Sequence, residues 1–154
     1  MRDDGGMARV RVASRNALYE FFVAGQAVRR LLAEAFRGAP LTQEEWAVMS
    51  TIDSSKSVTP SGLGARLSMP PTTVSTHLRR LVERGLVEQS PHPTDGRSSV
   101  VQATAAGHRA FEETKPHYIA AVSVLRRQLR VPEAELGAAL TELTRAATDA
   151  LDEL

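Results

Sequence analysis

Residues 70–87 read PPTTVSTHLRRLVERGLV, and the reading of this stretch decides the fold. Pro70-Pro71 ends one element and restarts another, because proline lacks an N–H and fits the first turn of a helix. Val74, Leu78, Leu81 and Val82 follow at i, i+4, i+7 and i+8, the stripe of a helix with one buried face. Gly85 stands where such a helix needs a residue at home in the left-handed conformation. At about 100° per residue the opposite face collects Thr72, Thr76, Arg80 and Glu83, flanked by Thr73 and Arg79, with His77 and Arg84 nearer the boundary. No acidic side chain occurs from Pro70 to Val82. Hydroxyls can bond base edges or phosphates, arginine can fork onto guanine, and threonine methyls can touch thymine methyls. The N-terminus of the helix favours a phosphate as well.

Working upstream, Thr59-Pro60 is an N-cap followed by proline at the first helical position, opening a short helix to about Leu67 with Leu63 and Leu67 inward. Thr42 with Glu45 is a capping box, and Leu41 with Trp46 occupies the two positions of a hydrophobic staple. That helix carries Val48, Met49 and Ile52 and stops within residues 53–57. Before it, residues 16–36 hold Leu18, Phe21, Phe22, Val28, Leu31, Leu32 and Phe36 at helical period.

Working downstream, two β-prone runs, one opening at Leu86 and one closing at Ala103, flank a loop containing Asp95-Gly96 and read as a hairpin. Thr104 caps a long helix to about Leu129, with Pro116 expected to kink it near Lys115. A final helix opens at Val131-Pro132-Glu133 with Leu136, Leu140, Leu143 and Leu151 on one stripe. The expected class is mainly α with a small β-hairpin wing. Its parts are a flexible arm over 1–13, an N-terminal dimerisation helix over 14–37, a winged helix-turn-helix domain over 40–104 and C-terminal dimerisation helices over 105–154. The terminal helices carry more apolar surface than one helix pair hides, which calls for a second copy of the chain; packing on the middle domain is the alternative.

At 154 residues the chain suffices for one domain with an appendage. It has no cysteine, which excludes a disulfide framework, a thiolate metal site and thiol-based sensing. No apolar run approaches the ~18 residues of a membrane span, so no membrane association is expected and the location is read as cytoplasmic. The net charge of +1 decides nothing about nucleic acid, but the last 23 residues hold six acids against Arg145 alone. Met7 offers a second possible start beside Met1. No metal-binding His-Glu-x-x-His, Gly-rich phosphate loop or nucleophile elbow occurs. No enzyme activity, cofactor or metal is therefore expected.

Leu63 to Leu67, Thr73-Val74-Ser75, Arg80-Leu81, Arg84-Gly85-Leu86-Val87, Asp95-Gly96-Arg97 and Thr104-Ala105-Ala106-Gly107 together resemble the multiple antibiotic resistance regulator (MarR) family. The resemblance covers nearly the whole chain. It implies a homodimer on double-stranded DNA, with Thr72, Thr73, Ser75 and Thr76 at the major groove and Arg97 in the minor groove. His77, Arg79 and Arg80 complete the candidate DNA-binding set. Asp95 would orient the wing by pairing with a base, for which Arg80 is a candidate. The chain departs from the usual pattern at Thr76, Arg79, Pro70 and Gln89, which bears on the operator sequence. An effector pocket for a small aromatic or phenolic ligand is implied near Tyr19, Phe22, Trp46, His117 and Tyr118, residues that packing alone also explains. The expected function is a homodimeric repressor of a pseudo-palindromic operator, released by such a ligand. The alternative is a winged-helix protein-interaction module without sequence-specific DNA binding.

Overall fold

Local capping chemistry sets most of the helix starts. A computed structural model describes residues 16–95 and 97–154; the expected arm over 1–13 lies outside the described residues. Helix α1 (Ala17–Ala35) begins where the Asn16 side chain accepts from the Tyr19 N–H at 2.9 Å. Helix α2 (Gln43–Ser55) carries the full capping box: Glu45 N–H donates to Thr42 Oγ1, and Thr42 N–H donates to Glu45 Oε2. Helix α3 (Pro60–Leu67) starts on Thr59, whose hydroxyl accepts from Gly62 N–H. Helix α4 (Pro71–Glu83) has no side-chain cap, because Pro70 occupies that position. It ends at Arg84, and Gly85 follows with φ +67°, the conformation that favours glycine.

Strands β1 (Val87–Pro91) and β2 (Ser99–Ala103) pair antiparallel from Val87↔Ala103 to Pro91↔Ser99. Val58 adds a one-residue bridge to Val101, with N–H to carbonyl bonds in both directions, at 3.2 and 2.8 Å. The wing is thereby fastened to the segment that opens α3. Helix α5 (Ala105–Gln128) runs through Pro116 as one helix, and α6 (Glu133–Leu151) follows a short turn that the Arg126–Glu133 ion pair spans.

The core lies inside the winged domain. Leu41, Met49, Ile52, Leu63, Leu81 and Val101 are its most deeply buried large side chains, joined by Val74, Leu78, Leu86 and Phe111. Val82, expected on the buried stripe of α4, is 41% exposed. The reason is angular: Val74, Leu78 and Leu81 centre the stripe, and Val82 lies about 70° off that centre. Neither α1 nor α6 contains a buried residue, and Leu18, Phe21, Phe22, Val28, Leu140 and Leu151 are exposed. Among the described residues no helix is long and apolar enough to cross a membrane.

Candidate nucleic-acid interface

Helix α4 turns Val74, Leu78 and Leu81 into the core and leaves a polar face outside. On that face Thr72, Ser75, Arg79 and Arg80 are exposed, while Thr73 and Thr76 are half-buried. The Thr76 hydroxyl donates to the Thr72 carbonyl at 2.9 Å, so its methyl and a lone pair are what remain to offer. The start of α4 carries no side-chain cap, and its N–H groups favour an anion.

The wing tip holds Arg97, exposed, with its backbone N–H bonded to Asp95 Oδ1 at 3.1 Å. Asp95 thus shapes the loop through the backbone. The pairing of Asp95 with a base, Arg80 included, is not formed among the described residues; the Asp95 carboxylate turns back on its own loop instead. Arg79, Arg80 and Arg97 have no carboxylate partner among the described residues, like most of the described cations; Arg37, Arg84, Lys115, Arg126 and Arg145 are the paired ones.

His77 stands apart from the other candidates. It is half-buried, and its Nδ1 is buried without a hydrogen-bond partner among the described residues. Glu44 on α2 lies within its field. Burial works against ionisation of Glu44, but the Gln43 side-chain amide, a backbone bond and the nearby His77 and Arg29 together hold its carboxyl below the usual range. His77 therefore faces the α2 side of the helix, not the open polar face. Arg84 is also committed within the protein: Nη1 donates to Glu45 Oε2 at 2.8 Å and Nη2 to the Pro40 carbonyl at 2.6 Å.

The five candidate pocket residues divide. Trp46 stacks on Tyr118 with ring centroids 4.1 Å apart and on Phe111 at 5.5 Å, while His117 Nδ1 meets the Ala35 carbonyl at 2.8 Å. These three gather where α1, α2 and α5 meet. Tyr19 and Phe22 lie exposed in the first turns of α1 and take part in no ring contact among the described residues. The Trp46 Nε1–H is buried and has no acceptor among the described residues. No group of three or more His, Asp or Glu that could hold a metal occurs among the described residues.

A family model described as the MarR family matches residues 39–98, the span from the turn before α2 to the wing loop. Residues 39–98 are thus similar to the MarR family and fold as a winged helix. The chain is also 24% identical over 111 residues to an uncharacterised HTH-type transcriptional regulator of Mycobacterium bovis, covering 68% of this chain and 78% of that one. Among solved structures it is similar to a mutant of MarR from E. coli complexed with operator DNA. The identity is 25% and the TM-score 0.71, covering 82% of this chain and 90% of that one. The fold also matches a M. tuberculosis transcriptional regulator, MosR, in complex with DNA, at 21% identity and TM-score 0.79, covering 88% of this chain and 98% of that one.

The motif that follows the matched segment has a physical basis in the structure. Thr104 Oγ1 donates to the Gly85 carbonyl at 2.7 Å and accepts from Gly107 N–H at 3.0 Å, while Thr104 N–H donates to the Leu86 carbonyl at 3.1 Å. One threonine thus caps α5 and ties its start to the hinge between α4 and β1. Gly107 is required by the closeness of that joint: a Cβ there would meet the Leu86 carbonyl oxygen at 1.9 Å. The Glu45–Arg84 pair and the Val58 bridge went unread in the sequence. The capping box marked Glu45 as occupied, and nothing local joined it to an arginine 39 residues away.

Proposed function

We propose that the chain is a homodimeric DNA-binding transcriptional regulator that represses from a pseudo-palindromic operator. The observation that carries this reading is the placement of three exposed arginines, Arg79 and Arg80 on α4 and Arg97 on the wing, beside an exposed hydroxyl-bearing face. Cations gathered on one outward surface, with no carboxylate among the described residues to neutralise them, suit an anionic partner. The solved relatives bound to DNA support the same reading. The exposed apolar faces of α1 and α6 favour a second copy of the chain as their cover. Two recognition helices, α4 and its mate, then need a separation of about 34–36 Å to enter successive major grooves.

The buried, acceptor-less indole N–H of Trp46 favours a small aromatic ligand carrying an oxygen acceptor, such as a phenol or aromatic acid, at the α1–α2–α5 junction. Trp46 is the single tryptophan, so its own fluorescence reports such binding.

Fluorescence anisotropy of the full chain on a fragment of its own promoter, against a scrambled duplex at several salt concentrations, tests the proposal. Specific binding that weakens steeply with salt is expected. Replacing Arg97 by Ala should cost about 1–3 kcal/mol across sequences and lower the salt slope. An affinity indifferent to both salt and Arg97→Ala refutes the reading and favours a protein-interaction module.

A further inference from the structure

We infer that Arg84 is a positioning residue, a latch that ties the end of the recognition helix α4 to the α1–α2 turn and fixes how far apart two recognition helices stand. The inference rests on the dimeric DNA-binding reading above. Arg84 is the last residue before Gly85, where the chain swings from α4 into the wing. Its two Nη atoms reach two different acceptors, Glu45 Oε2 and the Pro40 carbonyl. Glu45 Oε2 also accepts the Thr42 N–H at 3.0 Å, so one carboxylate oxygen closes the start of α2 and holds the end of α4. The Glu45 side chain is only 7% exposed, and a carboxylate so buried is costly unless paired. Arginine suits the position because its planar fork addresses two acceptors in a fixed geometry.

Leu41 of this turn shares the buried core with Leu78 and Leu81 of α4, but outside that core the joint is not filled. Between the last turn of α1 and the first turn of α2 lies a cleft of about 390 Å³, walled by Phe36, Leu41, Gln43 and Arg84 among others. Helix α1 packs chiefly on α5, and α4 packs on α2, α3 and β1. The two hydrogen bonds of Arg84 are therefore the direct polar link from the recognition helix to the turn that ends α1. With α1 covered by a second copy, the latch makes the recognition helix move with the dimer frame. Arg84 acts here through Glu45 and Pro40, not by touching DNA.

The test measures operator affinity on three duplexes: the native half-site spacing, one base pair shorter and one longer. Each base pair shifts a half-site by about 3.4 Å and a tenth of a turn. The native chain should prefer its own spacing by about tenfold or more, a preference that Arg84→Gln lowers below about threefold, on the scale of a typical coupling between sites. Arg84→Lys, which keeps the charge and one bond, should restore part of the preference. Melting curves of each variant establish that it is folded at the assay temperature. If folded Arg84→Gln keeps the native preference, the latch is refuted. Equal weakening on all three duplexes with a smaller salt slope also refutes it, because that is the signature of a phosphate contact. A native chain that binds none of the duplexes, or all alike, overturns the dimeric DNA-binding reading itself.

Discussion

Replacing Gly107 by alanine sets two physical effects against each other. In an isolated helix the change is favourable by up to about 1 kcal/mol, because glycine loses more backbone freedom. In this fold the new Cβ would stand 1.9 Å from the Leu86 carbonyl oxygen, 2.9 Å from its carbon and 3.1 Å from Met49 Cε. An ordinary carbon–oxygen contact needs about 3.3 Å, so the start of α5 and the hinge must separate by about 1.4 Å. A displacement of that size breaks the bonds that Thr104 makes to the Gly85 and Leu86 carbonyls. Two lost hydrogen bonds at about 1 kcal/mol each, with about 1–3 kcal/mol for disturbed packing around Leu86 and Met49, exceed the gain in propensity. The net expectation is a loss of about 2–4 kcal/mol, seen as a melting point lower by about 5–15 °C for a chain of this size. Gly137, in α6 with nothing within 4 Å of the added Cβ, supplies the contrast. Gly137→Ala should leave stability unchanged or raise it by up to about 1 kcal/mol. Thermal unfolding followed by circular dichroism decides the matter. If Gly107→Ala melts at or above the native chain, the close joint between α5 and the hinge is not what the geometry describes.

On α4 the two faces should fail differently: Leu78→Ala should cost roughly 2–5 kcal/mol of stability and lose DNA through unfolding. Arg80→Ala should melt within about ±0.5 kcal/mol of the native chain and weaken only the complex, and a melting point several degrees lower with affinity intact would show that Arg80 braces the fold. Glu44 has a folded-state pKa below its unfolded value, so its contribution is present above the unfolded pKa and is lost as pH falls through the folded one. Denaturant titrations from neutral pH downward should therefore show the native chain losing its margin over Glu44→Gln below the ordinary glutamate range; parallel pH profiles would contradict this.

Where the code is local, the sequence was legible. Thr42 with Glu45, Thr59 with Pro60, and Thr104 each bond backbone N–H groups within three residues, so their side chains alone mark the starts of α2, α3 and α5. The outward face of α4 was legible for the same reason, since a rigid period of 3.6 residues turns spacing into direction. What escaped depends on distant partners. His77 sits at the angular boundary, and its partial burial depends on elements packed beside α4. Val58 carries no pattern of its own and becomes a strand residue because Val101 is there to receive it. The five aromatic and basic candidates at the α1–α2–α5 junction could be named by type, yet only their tertiary placement separates Trp46, His117 and Tyr118 from Tyr19 and Phe22.

Helices α1 and α6 bury none of their own residues. Most helical stability in proteins comes from packing of an apolar face, so the order of both chain ends depends on what meets theirs. If that cover is another copy, susceptibility to proteases becomes a function of abundance: scarce chains expose frayed ends, and plentiful ones hide them. The lifetime of the protein would then lengthen as its level rises, a feedback written into the two terminal helices and independent of any operator. Limited proteolysis across a dilution series should show cleavage within α1 and α6 growing as the chain is diluted, while the winged domain between them stays intact.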